Sequence, residues 1–89
     1  MRKMDLPAQF DLLTELQPLE SLVEVYGNQR ILIENHRGVC EYTGERIVIK
    51  VKNGNVSASG TKMRIVLMTK DRLVIQGLIE SISFCKGVR

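Results

Sequence analysis

The dipeptide Asn53-Gly54, between two runs of alternating apolar and polar residues, constrains the fold of this chain more than any other feature. Both residues tolerate the positive φ that a type I′ turn requires, so the pair predicts a β-hairpin. Successive residues of a strand point to opposite faces of a sheet, and the hairpin therefore has one apolar and one polar face. The predicted cross-strand pairs are Lys52 with Asn55, Val51 with Val56, Lys50 with Ser57, and Ile49 with Ala58. The predicted apolar face consists of Ile47, Ile49, Val51, Val56 and Ala58.

Similar runs of β-branched and aromatic residues continue from Leu22 to Phe84, separated by turn residues. We predict strands over residues 22–26, 30–34, 39–43, 46–52, 55–59, 63–68, 72–76 and 78–84. In this interpretation Gly60 ends a strand, and Gly77 forms a bulge that joins the last two. The fold class is mainly β, with a short N-terminal helix followed by about seven short, mostly antiparallel strands in a small roll, sandwich or barrel.

Apolar residues of the N-terminal stretch recur at intervals of four, three and three residues, which places them on one side of a helix. They are Leu6, Phe10, Leu13 and Leu16. Pro7 suits the first helical turn, and Pro18 disfavours helical geometry in the residue before it. We therefore divide the chain into an N-terminal helical segment, residues 1–21, and an antiparallel β-domain, residues 22–86. We expect the helix to cover one end or face of the β-domain. The alternative is a membrane-surface or partner-binding helix, and its mainly acidic polar residues disfavour an anionic bilayer.

The formal net charge of +3 is unevenly distributed. Residues 1–21 carry two basic and four acidic side chains, whereas residues 22–89 carry eleven basic and six acidic ones. The basic balance permits binding to nucleic acid or to an anionic surface, although the basic residues are spread over nearly every strand. No apolar run approaches the length of a transmembrane helix, and no apolar region follows Arg2 and Lys3. The sequence therefore predicts a soluble protein that is not exported.

Four consecutive polar residues and a glycine interrupt the strand pattern and include the only histidine of the chain. Asn35 is expected to bond to local backbone, and Gly38 supplies a permissive conformation, so we interpret the stretch as a turn. The residues of this candidate interaction turn are Glu34, Asn35, His36, Arg37 and Gly38.

Two chemical interpretations of the same region are alternatives to the turn. A couple of His36 and Cys40 fits nucleophilic catalysis, but no orienting third group and no oxyanion loop accompanies it. A metal site built from Glu34, His36, Cys40 and Cys85 has no ligand spacing to support it. We therefore predict no catalytic, cofactor-binding or metal-binding residues, and we expect both cysteines to be small buried apolar side chains.

The block Ile33-Glu34-Asn35-His36-Arg37-Gly38, with several further segments, resembles the YabP/YqfC family of sporulation proteins, and its YqfC branch most closely. The further segments are Gly27-Asn28, Tyr42, Arg46-Ile47-Val48-Ile49, Gly60 and Ile75-Gln76-Gly77-Leu78-Ile79-Glu80-Ser81-Ile82. The likeness covers about residues 5 to 86, and Leu6-Pro7 looks like the family's N-terminal segment. Within residues 17–25, no proline lies as close before the first strand as in the YqfC branch.

The resemblance implies a non-enzymatic, cytoplasmic protein of the mother cell of an endospore-forming bacterium, and it suggests a role in spore coat assembly. It also implies a partner of the YqfD type, a membrane-associated sporulation protein, which would hold this chain at the periphery of a membrane. No catalytic residues come with the family.

Two function classes follow from these observations. The first is an interaction module that docks through a sheet edge onto a partner or onto itself, so that the purified protein forms a dimer or larger homo-oligomer. Val48, Val66, Met68 and Val74 are expected on the face opposite the core, as a second layer or a contact patch. The second class is a small basic β-fold that binds nucleic acid. It is disfavoured because Phe10 and Phe84 are predicted in the core, which leaves few aromatic platforms for bases.

Overall fold

The computed structural model describes residues 21–86, which form one open antiparallel sheet of six strands. The strands are β1 (Leu22–Tyr26), β2 (Arg30–Glu34), β3 (Val39–Tyr42), β4 (Arg46–Val51), β5 (Gly54–Met68) and β6 (Arg72–Lys86). Their order across the sheet is β1-β2-β6-β5-β4-β3. The predicted N-terminal helix lies outside the described residues. Within the described range there is no helix of the length and hydrophobicity needed to cross a bilayer.

The two long strands, β5 and β6, form a hairpin with 15 residues in each strand, and the other four strands lie on either side of this hairpin. Within this hairpin, β2 pairs with Arg72–Gln76, near the turn. Strand β4 pairs with Gly54–Ser59, near the open end of the hairpin. The sheet therefore has a first half-sheet, made of β1, β2 and residues 64–76, and a second half-sheet, made of β3, β4 and residues 54–59 and 79–86.

Two glycines lie where the long hairpin passes from one half-sheet to the other. A Cβ on Gly60 would overlap the carbonyl oxygen of Leu78, and a Cβ on Gly77 would lie 2.8 Å from the carbonyl oxygen of Lys62. The register between β5 and β6 shifts at both glycines. Gly77 lies opposite two residues of β5, Lys62 and Met63, whereas the extra residue of β6 is Glu80, so the bulge predicted in the last strand at Gly77 is wrong. The strand end predicted at Gly60 is wrong, because β5 continues through it.

The core is a single cluster of buried apolar side chains drawn from both half-sheets. Its members are Ile31, Ile33, Ile47, Ile49, Val56, Ala58, Met63, Leu73, Ile75 and Ile79. Burying one such side chain contributes roughly 1.5–3 kcal/mol relative to leaving it exposed. One cluster shared by the two halves means that the sheet folds over its own apolar face. The structure is one open sheet, not a closed barrel and not a sandwich of two sheets.

The register predicted for the Asn53-Gly54 hairpin is wrong by two residues. Val51 pairs with Gly54 and Ile49 pairs with Val56, so Lys52 and Asn53 form the loop. Asn53 does not have a positive φ, and the type I′ turn is absent. A shift of two residues leaves every side chain on its original face because the strand period is two. The predicted apolar face is therefore confirmed, with Val51 half-buried against the core.

Six strands replace the predicted seven because the predicted strands 55–59 and 63–68 are parts of one continuous strand, residues 54–68. A third register shift, at Val66, changes the alternation near the end of β5. Met68 consequently pairs with Leu73 on the core side instead of lying on the opposite face, while Leu67 pairs with Val74. Val48 is 7% exposed and therefore offers no open contact surface.

The burial predicted for three further residues is also wrong. Phe84 is 68% exposed, although its pairing with Val56 places it on the core side. The cause is its position near the end of β6, where β2 no longer pairs with that strand. Cys40 and Cys85 are both exposed free cysteines. Cys40 lies at a bulge in the edge strand β3, and Cys85 lies near the end of β6.

Candidate functional site

The candidate interaction turn, Glu34 to Gly38, crosses from β2 in the first half-sheet to β3 in the second. Asn35 adopts the left-handed conformation, with φ of 61°, and reverses the direction of the chain. Its backbone N–H donates to the carbonyl oxygen of Asp71 at 2.6 Å. Its own carbonyl oxygen accepts a hydrogen bond from the Ser21 hydroxyl at 2.8 Å. The turn is thereby tied to the β5–β6 loop and to the residue before β1.

The His36 imidazole uses both of its ring nitrogens within the fold. Nδ1 accepts a hydrogen bond from the Gly38 backbone N–H at 3.1 Å. Because Nδ1 accepts, the proton of the neutral ring is on Nε2, which donates to the carbonyl oxygen of Thr69 at 2.9 Å. The ring therefore bridges its own turn and the β5–β6 loop, and neither nitrogen is left for a metal or a substrate.

Backbone bonds join the rest of the turn to β4. The Arg37 N–H donates to the carbonyl oxygen of Lys50 at 2.7 Å, and the Lys50 N–H donates to the carbonyl oxygen of Gly38 at 2.8 Å. Glu34 and Arg72 form an ion pair, in which Arg72 Nε lies 3.4 Å from the Glu34 carboxylate. The exposed Arg37 side chain is the part of the turn that faces solvent. The turn has the geometry of a connector that holds the two half-sheets together.

The couple of His36 and Cys40 is not assembled in this structure. The Cys40 thiol points to the side-chain oxygen of Asn55, 3.9 Å away, while the imidazole nitrogens bind backbone groups. Over residues 21–86 no three His, Cys, Asp or Glu side chains lie close enough together to hold a metal ion.

A row of side chains that the sequence did not reveal crosses four strands of the first half-sheet. Tyr26 pairs with Arg30, Arg30 pairs with Gln76, and Gln76 pairs with Arg64. Partners in register share a face, and the adjacent Ile31 and Ile75 are buried, so this row lies on the face away from the core. We call Arg30, Gln76, Arg64 and the neighbouring Lys62 the cationic row.

The cationic row borders an open groove of about 720 Å³. Its other lining residues are Tyr26, Gln29, Met63, Gly77 and Leu78, and none of the lining residues is acidic. Lys62 has a left-handed φ of 53°, an unfavourable conformation for a residue with a Cβ. None of the row's three cations forms an ion pair within the described part of the chain, whereas Arg46 and Arg72 pair with Glu41 and Glu34.

Tyr26 lies at one end of the row, and the pKa of its hydroxyl is raised. Its hydroxyl donates to a carboxylate oxygen of Glu24 at 2.7 Å. This hydrogen bond, followed by the negative charge of Glu24, raises the pKa of Tyr26 above its ordinary value.

A second feature of the strand pairing is the open edge of β5, the part of this strand that has no neighbouring strand on one side within the described sheet. Strand β4 covers β5 only as far as Ser59, and the Tyr42 hydroxyl accepts the Ile65 N–H at 2.9 Å. Beyond that point Val66, Leu67 and Met68 are exposed, and no strand of the described sheet pairs with their outer side. We call these three residues the β5 edge. An exposed apolar edge of this kind is a template for another strand.

An arginine precedes a run of branched apolar residues at Arg30, Arg46, Arg64 and Arg72, a pattern typical of residues at the start of a strand. The repeat was the available signal for the cationic row, but it does not separate the two arginines that have ion-pair partners from the two that do not. That distinction depends on which strands pair.

Comparison with known proteins gives one family. The YabP family model matches residues 17–88, which include all six strands. Nothing among the curated proteins or the solved structures matches this chain.

Proposed function

Because this chain belongs to the YabP family, we propose that it is a non-enzymatic sporulation protein that acts as an interaction or assembly module. Within the family we place it closest to the YqfC branch, on the resemblance of its Ile33–Gly38 block. Its place of action is the cytoplasm of the mother cell during endospore formation, in the assembly of the spore coat. These assignments follow the resemblance, and the geometry supplies a surface suited to the role.

The observation that carries the proposal is the β5 edge. Three consecutive exposed apolar residues lie on a strand whose outer backbone groups have no partner strand in the described sheet. Soluble proteins usually protect such edges with charges, prolines or bulges. The other edge next to β4 has this protection, since β3 contains a bulge at Cys40 and two charged residues beside it, Glu41 and Arg46, form an ion pair. The edge strand β1 also has exposed apolar residues, but it carries the charged Glu24 at its centre. The β5 edge has three uncharged apolar residues in a row, so an added strand there gains both backbone hydrogen bonds and apolar contact.

Two occupants of the β5 edge fit this function. A second copy of the chain would give a homo-oligomer, and a protein of the YqfD type would hold the module at a membrane. Both add a strand to the same edge, and the same substitution in β5 therefore tests both.

The experiment introduces a lysine into the β5 edge. Leu67→Lys places a charge where a partner strand must dock, and Leu78→Lys is the matched control, since Leu78 is similarly exposed (49% against 44%) but lies between paired strands. Sedimentation velocity should show that the unmodified protein and Leu78→Lys form dimers or larger species and that Leu67→Lys is monomeric. Affinity capture from sporulating cells should lose the partner only with Leu67→Lys. An unmodified protein that stays monomeric at high concentration and captures no partner would contradict the proposal.

The mother-cell assignment has its own test. A fluorescent fusion should accumulate in the mother cell during sporulation, and Leu67→Lys should change its localisation while Leu78→Lys should not. Accumulation in the forespore, or expression only during vegetative growth, would contradict this part of the proposal.

A further inference from the structure

The groove beside the cationic row lies on the side of the row that faces the middle of the long hairpin, because its lining extends to Gly77 and Leu78. Backbone hydrogen bonds fix the turn between β1 and β2 at the same place. The Gly77 N–H donates to the carbonyl oxygen of Gln29 at 3.2 Å, and the Ile79 N–H donates to that of Asn28 at 2.8 Å. Gln29 and Gly77 both line the groove, and this bonding therefore holds two of its sides in fixed relative positions.

The charges that line the groove are all positive. The three cations of the cationic row are exposed, and none forms an ion pair with another described residue. The carboxylates of Glu24 and Glu34 belong to lines of the sheet farther from the groove, and neither lines it. Glu24 accepts the hydrogen bond of the Tyr26 hydroxyl, and Glu34 pairs with Arg72. Charge complementarity therefore favours an anionic ligand in the groove.

The spacing of the two arginines suits a single phosphate group. Arg30 and Arg64 flank Gln76 in register, so their backbones are two strand spacings, or roughly 10 Å, apart. An arginine side chain is long enough to span half of that separation, and both guanidinium groups and the Gln76 amide therefore reach one anion. Guanidinium groups bind phosphate through paired N–H···O bonds. A phosphate monoester carries about −1.5 to −2 charges at neutral pH and matches three cations better than a carboxylate does.

The groove also provides contacts for an organic group attached to the phosphate. Tyr26 and Leu78 line it and are each about half exposed. The hydrogen bond to Glu24 orients the Tyr26 ring, and an oriented aromatic ring is a stacking surface for a planar group. The Gln29 amide adds a donor and an acceptor. The volume of about 720 Å³ lies within the range of roughly 300–1,000 Å³ that is typical of small-molecule sites.

We propose that this groove binds a phosphate monoester with a planar ring system, of the nucleoside monophosphate class. Arg30, Gln76 and Arg64 hold the phosphate, Lys62 adds positive charge beside it, and the ring system lies against Tyr26. The site is separate from the β5 edge, and ligand binding there does not depend on strand addition.

Amide NMR spectra of the full-length chain at near-physiological salt test the site, with AMP, CMP, GMP and UMP as probes. At least one nucleotide should shift the amides of Arg30, Arg64 and Gln76. Inorganic phosphate should shift the same amides with weaker binding, and the nucleosides without phosphate should cause no shift. The proposal would be overturned if no nucleotide shifted these amides, or if inorganic phosphate or the nucleosides bound as tightly as the nucleotides.

Substitutions assign the contacts. Arg30→Gln with Arg64→Gln should weaken nucleotide binding roughly tenfold or more, because charge-assisted hydrogen bonds to the phosphate are lost. Lys50→Gln, at an exposed cation of the second half-sheet, is the control and should bind as the unmodified protein does. Tyr26→Leu should weaken binding of the nucleotide and leave that of inorganic phosphate unchanged. Unchanged nucleotide affinity in the double arginine variant, with a native amide spectrum, would overturn the proposed site.

Two further probes distinguish other sources of phosphate. We expect no cosedimentation with phosphatidylglycerol vesicles and no gel shift with a single-stranded oligonucleotide at the same salt concentration, since both present phosphodiesters with a single negative charge. Binding to the vesicles or to the oligonucleotide, without a response to any mononucleotide, would overturn the proposal and indicate a membrane surface or a nucleic acid as the ligand.

Discussion

Arg30 and Arg64 lie on either side of Gln76 in one row of the sheet, each as its pairing partner in register. Adjacent strands are about 4.8 Å apart, so the two arginine backbones are separated by roughly 10 Å. Two like charges at that separation repel each other by about 0.4 kcal/mol in water. Repulsion within the row therefore lowers the stability of the folded β-domain slightly. A bound anionic ligand would remove this repulsion.

Arg64→Gln should raise the free energy of unfolding by about 0.4 kcal/mol at low salt, because it removes this repulsion. The gain should disappear at high salt, where charges at this distance are screened. Arg72→Gln is the control with the opposite sign, since it removes the exposed pair with Glu34 and should cost about 0.2–1 kcal/mol. Urea denaturation at two salt concentrations measures both. If the two substitutions changed the free energy of unfolding equally, the finding that Arg64 has no ion-pair partner among the described residues would be contradicted.

Gly60→Ala should destabilise the β-domain by roughly 1–3 kcal/mol or more, because the new methyl group would overlap the Leu78 carbonyl oxygen and backbone cannot move aside cheaply. Gly44→Ala is the matched control, since nothing lies within 4 Å of a Cβ at that position. Chemical denaturation of the two variants checks the difference. Similar stabilities would show that the two long strands do not approach as closely at Gly60 as described.

His36→Ala should lower the free energy of unfolding by about 1–2 kcal/mol, because the Gly38 N–H and the Thr69 carbonyl both lose their partner. Arg37→Glu should be nearly neutral, since Arg37 joins β4 through its backbone and its side chain is exposed. Thermal or urea unfolding measures the pair. Correct localisation of both variants during sporulation would assign the turn to the scaffold, and mislocalisation of a stable Arg37→Glu would assign it to a contact surface.

Glu24→Gln should lower the pKa of Tyr26 towards its ordinary value, because the carboxylate that holds the hydroxyl proton and repels the phenolate is removed. The phenolate absorbance of Tyr26 is obtained as the difference between the protein and a Tyr26→Phe variant over a titration at high pH. The same difference in the Glu24→Gln background gives the comparison. An unchanged pKa would show that the two side chains do not interact in solution.

The alternation predicted for the hairpin held, whereas the alternation predicted for Met68 failed because the register shifts at Val66. Ile47, Ile49, Val56 and Ala58 lie on the buried face as predicted, even though the hairpin register is shifted by two residues. The register failed because a type I′ turn was assigned to Asn53-Gly54 from local preference, and the strand instead begins at Gly54. The burial predicted for Phe84 failed for a different reason, since a side chain on the core side is covered only where neighbouring elements extend far enough.

The sequence by itself determined which face of the β4–β5 hairpin is apolar, the place of the polar turn at His36, and the family to which the chain belongs. These are local properties, because the direction of a side chain follows from the two-residue period of an extended backbone. Only the tertiary structure decided that Arg30 and Arg64 share a row and that Val66 to Met68 form an open edge. Both features depend on which distant strands pair and where that pairing stops, and no short stretch of sequence contains that information.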